Sequence, residues 1–185
     1  MMSKHTKMTL LNELRDDCAS KQKRGIHFII ASVMIWAGIA AVHLSPMNLL
    51  AKNLFTFCLS APLLPIAFLV SKMLKINFQN KSNPLTPLGI LFSVNQMAYL
   101  LIAMWVYNAL PEKMLMVYAM IFGAHLMPYS WLYRSRSYLA LSLLVPLFAL
   151  TVGLYFPQCI LAIGMFVVEI LFVFLLVFEN KSNKI

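Results

Sequence analysis

The chain has 185 residues, of which 61% are hydrophobic and only 11% charged, and it carries a formal net charge of +9. Soluble domains average roughly 25% charged residues, so the composition excludes an ordinary soluble domain and points to a membrane protein. The positive charge does not indicate nucleic acid, because the basic residues lie in the gaps between apolar runs, where they act as orientation signals.

Residues 1–26 read as a cytoplasmic leader, 27–178 as a transmembrane domain and 179–185 as a cytoplasmic tail. The leader is too charged for a secretory signal peptide, and no small-residue cleavage site follows a short apolar core, so the first span is expected to stay in the mature chain. Leu10, Leu11, Leu14 and Cys18 fall on one helical face, which predicts an interfacial amphipathic helix. The alternative is a solvated tail ending in the basic anchor Lys21-Gln22-Lys23-Arg24.

Six runs then approach or exceed the ~20 helical residues that cross a bilayer core. They lie near His27–Leu44, Leu49–Met73, Thr86–Tyr107, Met114–Tyr133, Tyr138–Phe156 and Ile160–Phe178. With the N-terminus inside, thirteen of the fifteen lysines and arginines fall on the cytoplasmic side, and only Lys52 and Lys113 lie opposite. That asymmetry predicts an all-α, six-span protein with both termini cytoplasmic. Pro46, Pro111 and Pro157 each precede two residues and then two large apolar ones, as suits the first turn of an inward-running helix. Three helical hairpins follow. Ala61-Pro62-Leu63-Leu64-Pro65 in span 2 weakly echoes Ala124-His125-Leu126-Met127-Pro128 in span 4, through either internal duplication or independent selection of proline. The polar connection Leu74 to Leu85, with Asn77, Gln79, Asn80, Lys81, Ser82, Asn83 and Pro84, reads as a cytoplasmic contact loop.

Glu169 is the one ionisable residue in the run Ile160–Phe178. A carboxylate at membrane depth costs roughly 2.5–3.5 kcal/mol on insertion scales, so such a group marks a working site more often than a lipid-facing one. Helical rise puts Glu169 about 15 Å above the inner end of its span, and His125, Asn95 and Gln96 about 13 Å above theirs. Spans 3, 4 and 6 thus form one polar layer, with His125 the natural partner of Glu169, either as an ion pair or as a neutral acid and imidazole. Tyr118, Phe122, His125 and Tyr129 make a stripe along span 4, and Asn95 and Tyr99 share a face of span 3. Glu169, His125, Asn95, Gln96, Tyr99, Tyr118 and Tyr129 are the predicted ligand- or proton-binding residues. The competing reading is that Asn95, Gln96 and His125 simply hold helices together, at about 0.6–2 kcal/mol per hydrogen bond. His27 and His43 read as solvated span ends, and Ala119 and Gly123 as a close-packing surface.

Enzyme motifs are missing. The chain has no HExxH, GxSxG, P-loop or dinucleotide fingerprint, and no second buried acid beside Glu169. Cys18, Cys58 and Cys159 share no disulfide or metal spacing. No catalytic residue, cofactor or metal site is assigned. The expected partners are the lipid bilayer and either a second copy or another membrane protein.

The stretches Leu14-Arg15-Asp16-Asp17-Cys18 with Lys23-Arg24-Gly25-Ile26-His27, Lys52 to Phe57, Phe78 to Leu85, Asn95-Gln96 and Val117 to His125 resemble a family of small, uncharacterised bacterial multi-span membrane proteins. The resemblance runs from about Leu11 to Glu169. It implies the fold and a bacterial cytoplasmic membrane location, and no activity. The matched depth of Glu169 and His125 and the Tyr118–Tyr129 stripe instead suggest the leading function, a small transporter or channel-like protein that handles a proton or polar solute. The alternative is a non-enzymatic membrane partner or assembly subunit.

Overall fold

In a computed structural model, which describes residues 4–78 and 80–182, the chain is all-helical among the described residues. Gln79 of the inner connection and Lys184 of the tail lie outside the described residues. Nine helices follow in order: α1 Lys4–Lys21, α2 Ile26–Leu44, α3 Leu49–Ser60, α4 Leu63–Met73, α5 Thr86–Ala109, α6 Met114–Ala124, α7 Met127–Leu132, α8 Arg136–Tyr155 and α9 Gln158–Ser182. Five stretches are long and apolar enough to cross a membrane, or six if the bent pair α3–α4 is one span.

Proline decides where the spans break. α3 and α4 meet at 43° across Ala61–Pro62, where Pro62 has no N–H to continue the ladder and its ring crowds the preceding turn. α6 gives way to α7 at His125 and Leu126, one residue before the Met127-Pro128 start of the new helix, and Leu126 N–H turns back to Gly123 C=O. The outer prolines behave unequally. Pro111 opens a 3₁₀ turn ahead of α6 and Pro157 accepts the first N–H bonds of α9, but Pro46 stands outside α3, whose N-cap is Asn48.

The apolar core is built on two seams. α2 packs most extensively on α9, and α6 on α8. Trp36, Ile39, Met114, Leu115, Met165 and Leu161 are fully covered between them. Gly123 lets α6 approach α8 closely, since a Cβ there would stand 2.6 Å from Pro146 Cδ and 2.8 Å from Val145 Cβ. α5 is the peripheral helix, with only Thr86, Ala103 and Val106 buried among its 24 residues.

One end of the bundle collects α1, the connection 74–85, the α7–α8 turn and the end of α9. Along the apolar face of α1, Leu10 is exposed, Leu11 and Leu14 are half-buried, and Cys18, beside Ala19 at the C-terminal end, is buried. Its grip is polar: Arg15 Nε donates to Trp131 C=O at 2.8 Å, Arg134 pairs with Asp16 at 2.7 Å, and Asp17 accepts from Asn80 and Asn83 at 2.8 Å each. Two amides of the inner connection, Asn80 and Asn83, thus hold the leader, while Asn77 is exposed. Lys23, Arg24 and Gly25 take left-handed φ values of 45°, 51° and 68° to turn the chain into α2. That turn is held by Tyr138 OH on Arg24 C=O (2.9 Å) and Asn180 on Lys23 C=O (3.0 Å). Glu179 accepts from Ser135 OH and from the free N–H groups of Arg136 and Ser137 at the start of α8, where its charge meets the helix dipole.

Candidate functional site

Glu169 lies on the buried stripe of α9, with Leu161, Ala162, Met165, Phe172 and Leu176 at helical spacing along the same face. That stripe faces α2, and Glu169 is fully covered. The Ser32 hydroxyl of α2 faces the carboxyl, yet neither carboxyl oxygen completes a hydrogen bond. Tyr118 of α6 and Tyr138 of α8 stand within electrostatic reach. The geometry is a carboxyl enclosed by apolar walls and a few hydroxyls, an arrangement suited to holding and releasing a proton and ill suited to binding a metal ion. No group of three metal-ligating side chains occurs among the described residues.

The predicted layer comes together only in part. His125 caps the end of α6 and its Nδ1 is engaged by Phe122 C=O of its own helix, so it is not the partner of Glu169. The reason is the break before Pro128, which turns His125 into a helix-end residue. Asn95 and Tyr99 are exposed on the outer face of α5, and Gln96 is half-buried beside them. Equal depth along the chain says nothing about azimuth, and it is azimuth that decides which side chains meet. Tyr129 joins α7 to α5, with its OH 3.0 Å from Gly89 C=O and 2.7 Å from Ser93 Oγ.

The span-4 stripe is real and longer than expected. Ring contacts run from Trp36 to Tyr118 (5.8 Å) and Phe122 (6.0 Å), then from Phe122 to His125 (5.3 Å), His125 to Tyr129 (5.9 Å), Tyr129 to Tyr138 (6.0 Å) and Tyr138 to Phe172 (4.8 Å). Separations of this size are those of favourable edge and tilted aromatic pairs. The column passes from α2 along α6 and α7 through Tyr138 of α8 to α9, one turn from Glu169.

A second polar line escaped the sequence reading. Lys52, Asn53, Thr56 and Ser60 lie along α3, and Asn53 and Thr56 are fully buried. Tyr118 OH donates to Ser60 Oγ at 2.5 Å, Ser60 Oγ to Thr56 C=O at 2.6 Å, and His43 Nε2 meets Thr56 Oγ1 at 3.1 Å. His43 is therefore buried under α3 and not solvated. It borders an open cleft of about 340 Å³ together with Lys52, Lys113 and Gln158. The spacing of three and four residues was the available signal, masked because Thr and Ser pass as ordinary in a span. His27 is likewise buried, set between the rings of Phe28 (4.5 Å) and Phe78 (5.4 Å), with neither ring nitrogen bonded.

No curated protein and no solved structure matches the chain. Residues 11–179 match one family along nearly the whole helical assembly just described, and the chain accordingly belongs to the family of unknown function DUF7010.

Proposed function

We propose that this is a six-span integral protein of a bacterial cytoplasmic membrane, both ends inside, that moves a proton or a proton-coupled polar solute with Glu169 as the proton-carrying group. The observation that carries this reading is the complete burial of Glu169 on the α2–α9 seam with both carboxyl oxygens unpartnered. An ionisable group at that depth, kept where an apolar residue would pack at lower cost, fits a transport role. The hydroxyl line Tyr118–Ser60–Thr56–His43 supports an outer route towards the cleft beside Lys52. Ser60 and Thr56 now donate to carbonyls of their own helix, so proton transfer along this line requires those hydroxyls to rotate. Asn95, Gln96 and Tyr99 are not part of this route, and His125 enters only through the aromatic column.

Purified protein reconstituted in vesicles with an internal pH-sensitive dye tests the proposal. The wild type should dissipate or build a pH difference, and Glu169→Gln should lose that flux. Equal flux in both proteins sinks the role of Glu169, and no flux in the wild type with any small polar solute sinks transport itself.

A further inference from the structure

The most exposed spanning helix carries its most polar side chain outward. Along α5, Leu91, Asn95, Ala98, Ile102, Trp105 and Ala109 recur at spacings of four, three, four, three and four residues, and every one of them is exposed. That is a heptad seam with Asn95 at an a position and alanine one turn further on. It lies away from the side that packs on the bundle through Ala103 and through Ser93, which meets Tyr129, and the buried Val106 borders it towards the end of the helix. The Asn95 side chain makes no hydrogen bond among the described residues, and in a lipid core such an amide is left without water or protein to satisfy it.

We infer that two copies of this chain pair through α5, side by side in the same orientation, with the Asn95 amides facing each other across a two-fold axis. This rests on the membrane reading above but not on transport by Glu169. The occupant is a second copy because the seam is self-complementary. An amide is both donor and acceptor, so two identical Asn95 side chains at one depth satisfy each other. Ala98 lets the helices approach closely enough for that contact. The 4-3 spacing sets a shallow left-handed crossing, which keeps Leu91 to Trp105 in one continuous seam. A buried asparagine at a single a position also fixes register, which leucines alone leave open.

Oxidative crosslinking in membrane vesicles tests the pairing, using single cysteines in a chain with Cys58 and Cys159 changed to serine and the buried Cys18 retained. Ala98→Cys and Ile102→Cys should yield a species of twice the chain mass. Met97→Cys and Met104→Cys, which are exposed but off the seam, should not. Asn95→Leu should weaken association roughly three- to thirtyfold, the equivalent of 0.6–2 kcal/mol for an interhelical hydrogen bond. Absence of a dimer at positions 98 and 102 in membrane-resident protein overturns the pairing and leaves the membrane reading intact. Equal crosslinking at positions 97 and 104, or an adduct of another mass, also overturns it. A chain that does not sediment with membranes at all overturns both. Because Glu169 lies on another helix, flux measured on Asn95→Leu separates loss of pairing from failure of the transport proposal.

Discussion

Glu169 occupies a position that a methionine of similar length would fill with no unsatisfied oxygen. Glu169→Met is therefore expected to raise stability by about 1–3 kcal/mol while abolishing flux, since a buried polar group without a hydrogen bond costs that order of energy. Glu169→Gln should stay within about 1 kcal/mol of wild type, because it too buries an unpaired polar end. Denaturant titration in detergent measures both. A loss of stability in the methionine variant would mean that the carboxyl has a partner. Gly123 makes the opposite case. A methyl group there meets Pro146 and Val145 at 2.6 and 2.8 Å, and those atoms lie near the backbone and cannot swing away. Gly123→Ala should cost about 1–3 kcal/mol by overpacking. Gly38→Ala meets only Leu59 side-chain atoms at 3.4 Å and should be neutral or gain up to about 1 kcal/mol from helix propensity. The contrast was partly legible beforehand: Ala119 and Gly123 stood out as small residues four apart, but the partner across the seam was not.

At the scale of elements, the leader helix shows polar contacts fastening α1 to distant segments of the chain. Asn83 donates to Leu14 C=O and to Asp17, both at 2.8 Å, and accepts from Leu85 N–H at 2.9 Å. Asn83→Leu removes all three and should loosen α1 by about 1–3 kcal/mol, seen as faster tryptic cleavage after Lys21 or Lys23. Acid should do the same. The Lys21 ammonium, followed by the Asn83 amide, holds the Asp17 carboxyl below its ordinary range. Lys21 lies on α1 itself, so only the share of the lowering supplied by Asn83 and Asn80 belongs to docking; it stabilises the docked state above the ordinary carboxyl value and is lost as pH falls through the lowered one. Hydrogen exchange over residues 4–21, corrected for intrinsic rate, should thus be constant from pH 7 to 5 and rise only below about 4. Loosening that began near pH 6 would point to another group. The element boundaries were well marked in the sequence, since Asn48, the prolines and the charged turns punctuate it. The docking of α1 was not, because its hydrogen bonds join residues more than sixty positions apart.

For the whole molecule, the gathering of α1, the two basic connections and the end of α9 at one end of the bundle agrees with the charge asymmetry. If that end faces the cytoplasm, a fluorescent reporter fused after the tail should light up. A periplasm-dependent phosphatase should be active only when inserted at the turns near Asn48, Glu112 or Pro157. Phosphatase activity from an insertion in the 74–85 connection would reverse the proposed orientation. The proposed orientation needs an even number of spans, and hence α3 and α4 crossing as one bent unit.

Composition and the spacing of apolar runs determined by themselves that this chain is helical and where its long apolar stretches lie, because both follow from local hydropathy. They also singled out Glu169, whose isolation in its run is a local fact. Which face each helix turns inward is decided by packing between distant segments. Only the tertiary structure could place Glu169 opposite Ser32, tie His125 to its own helix at a proline break, bury the hydroxyls of α3, and leave Asn95 on the outside of α5.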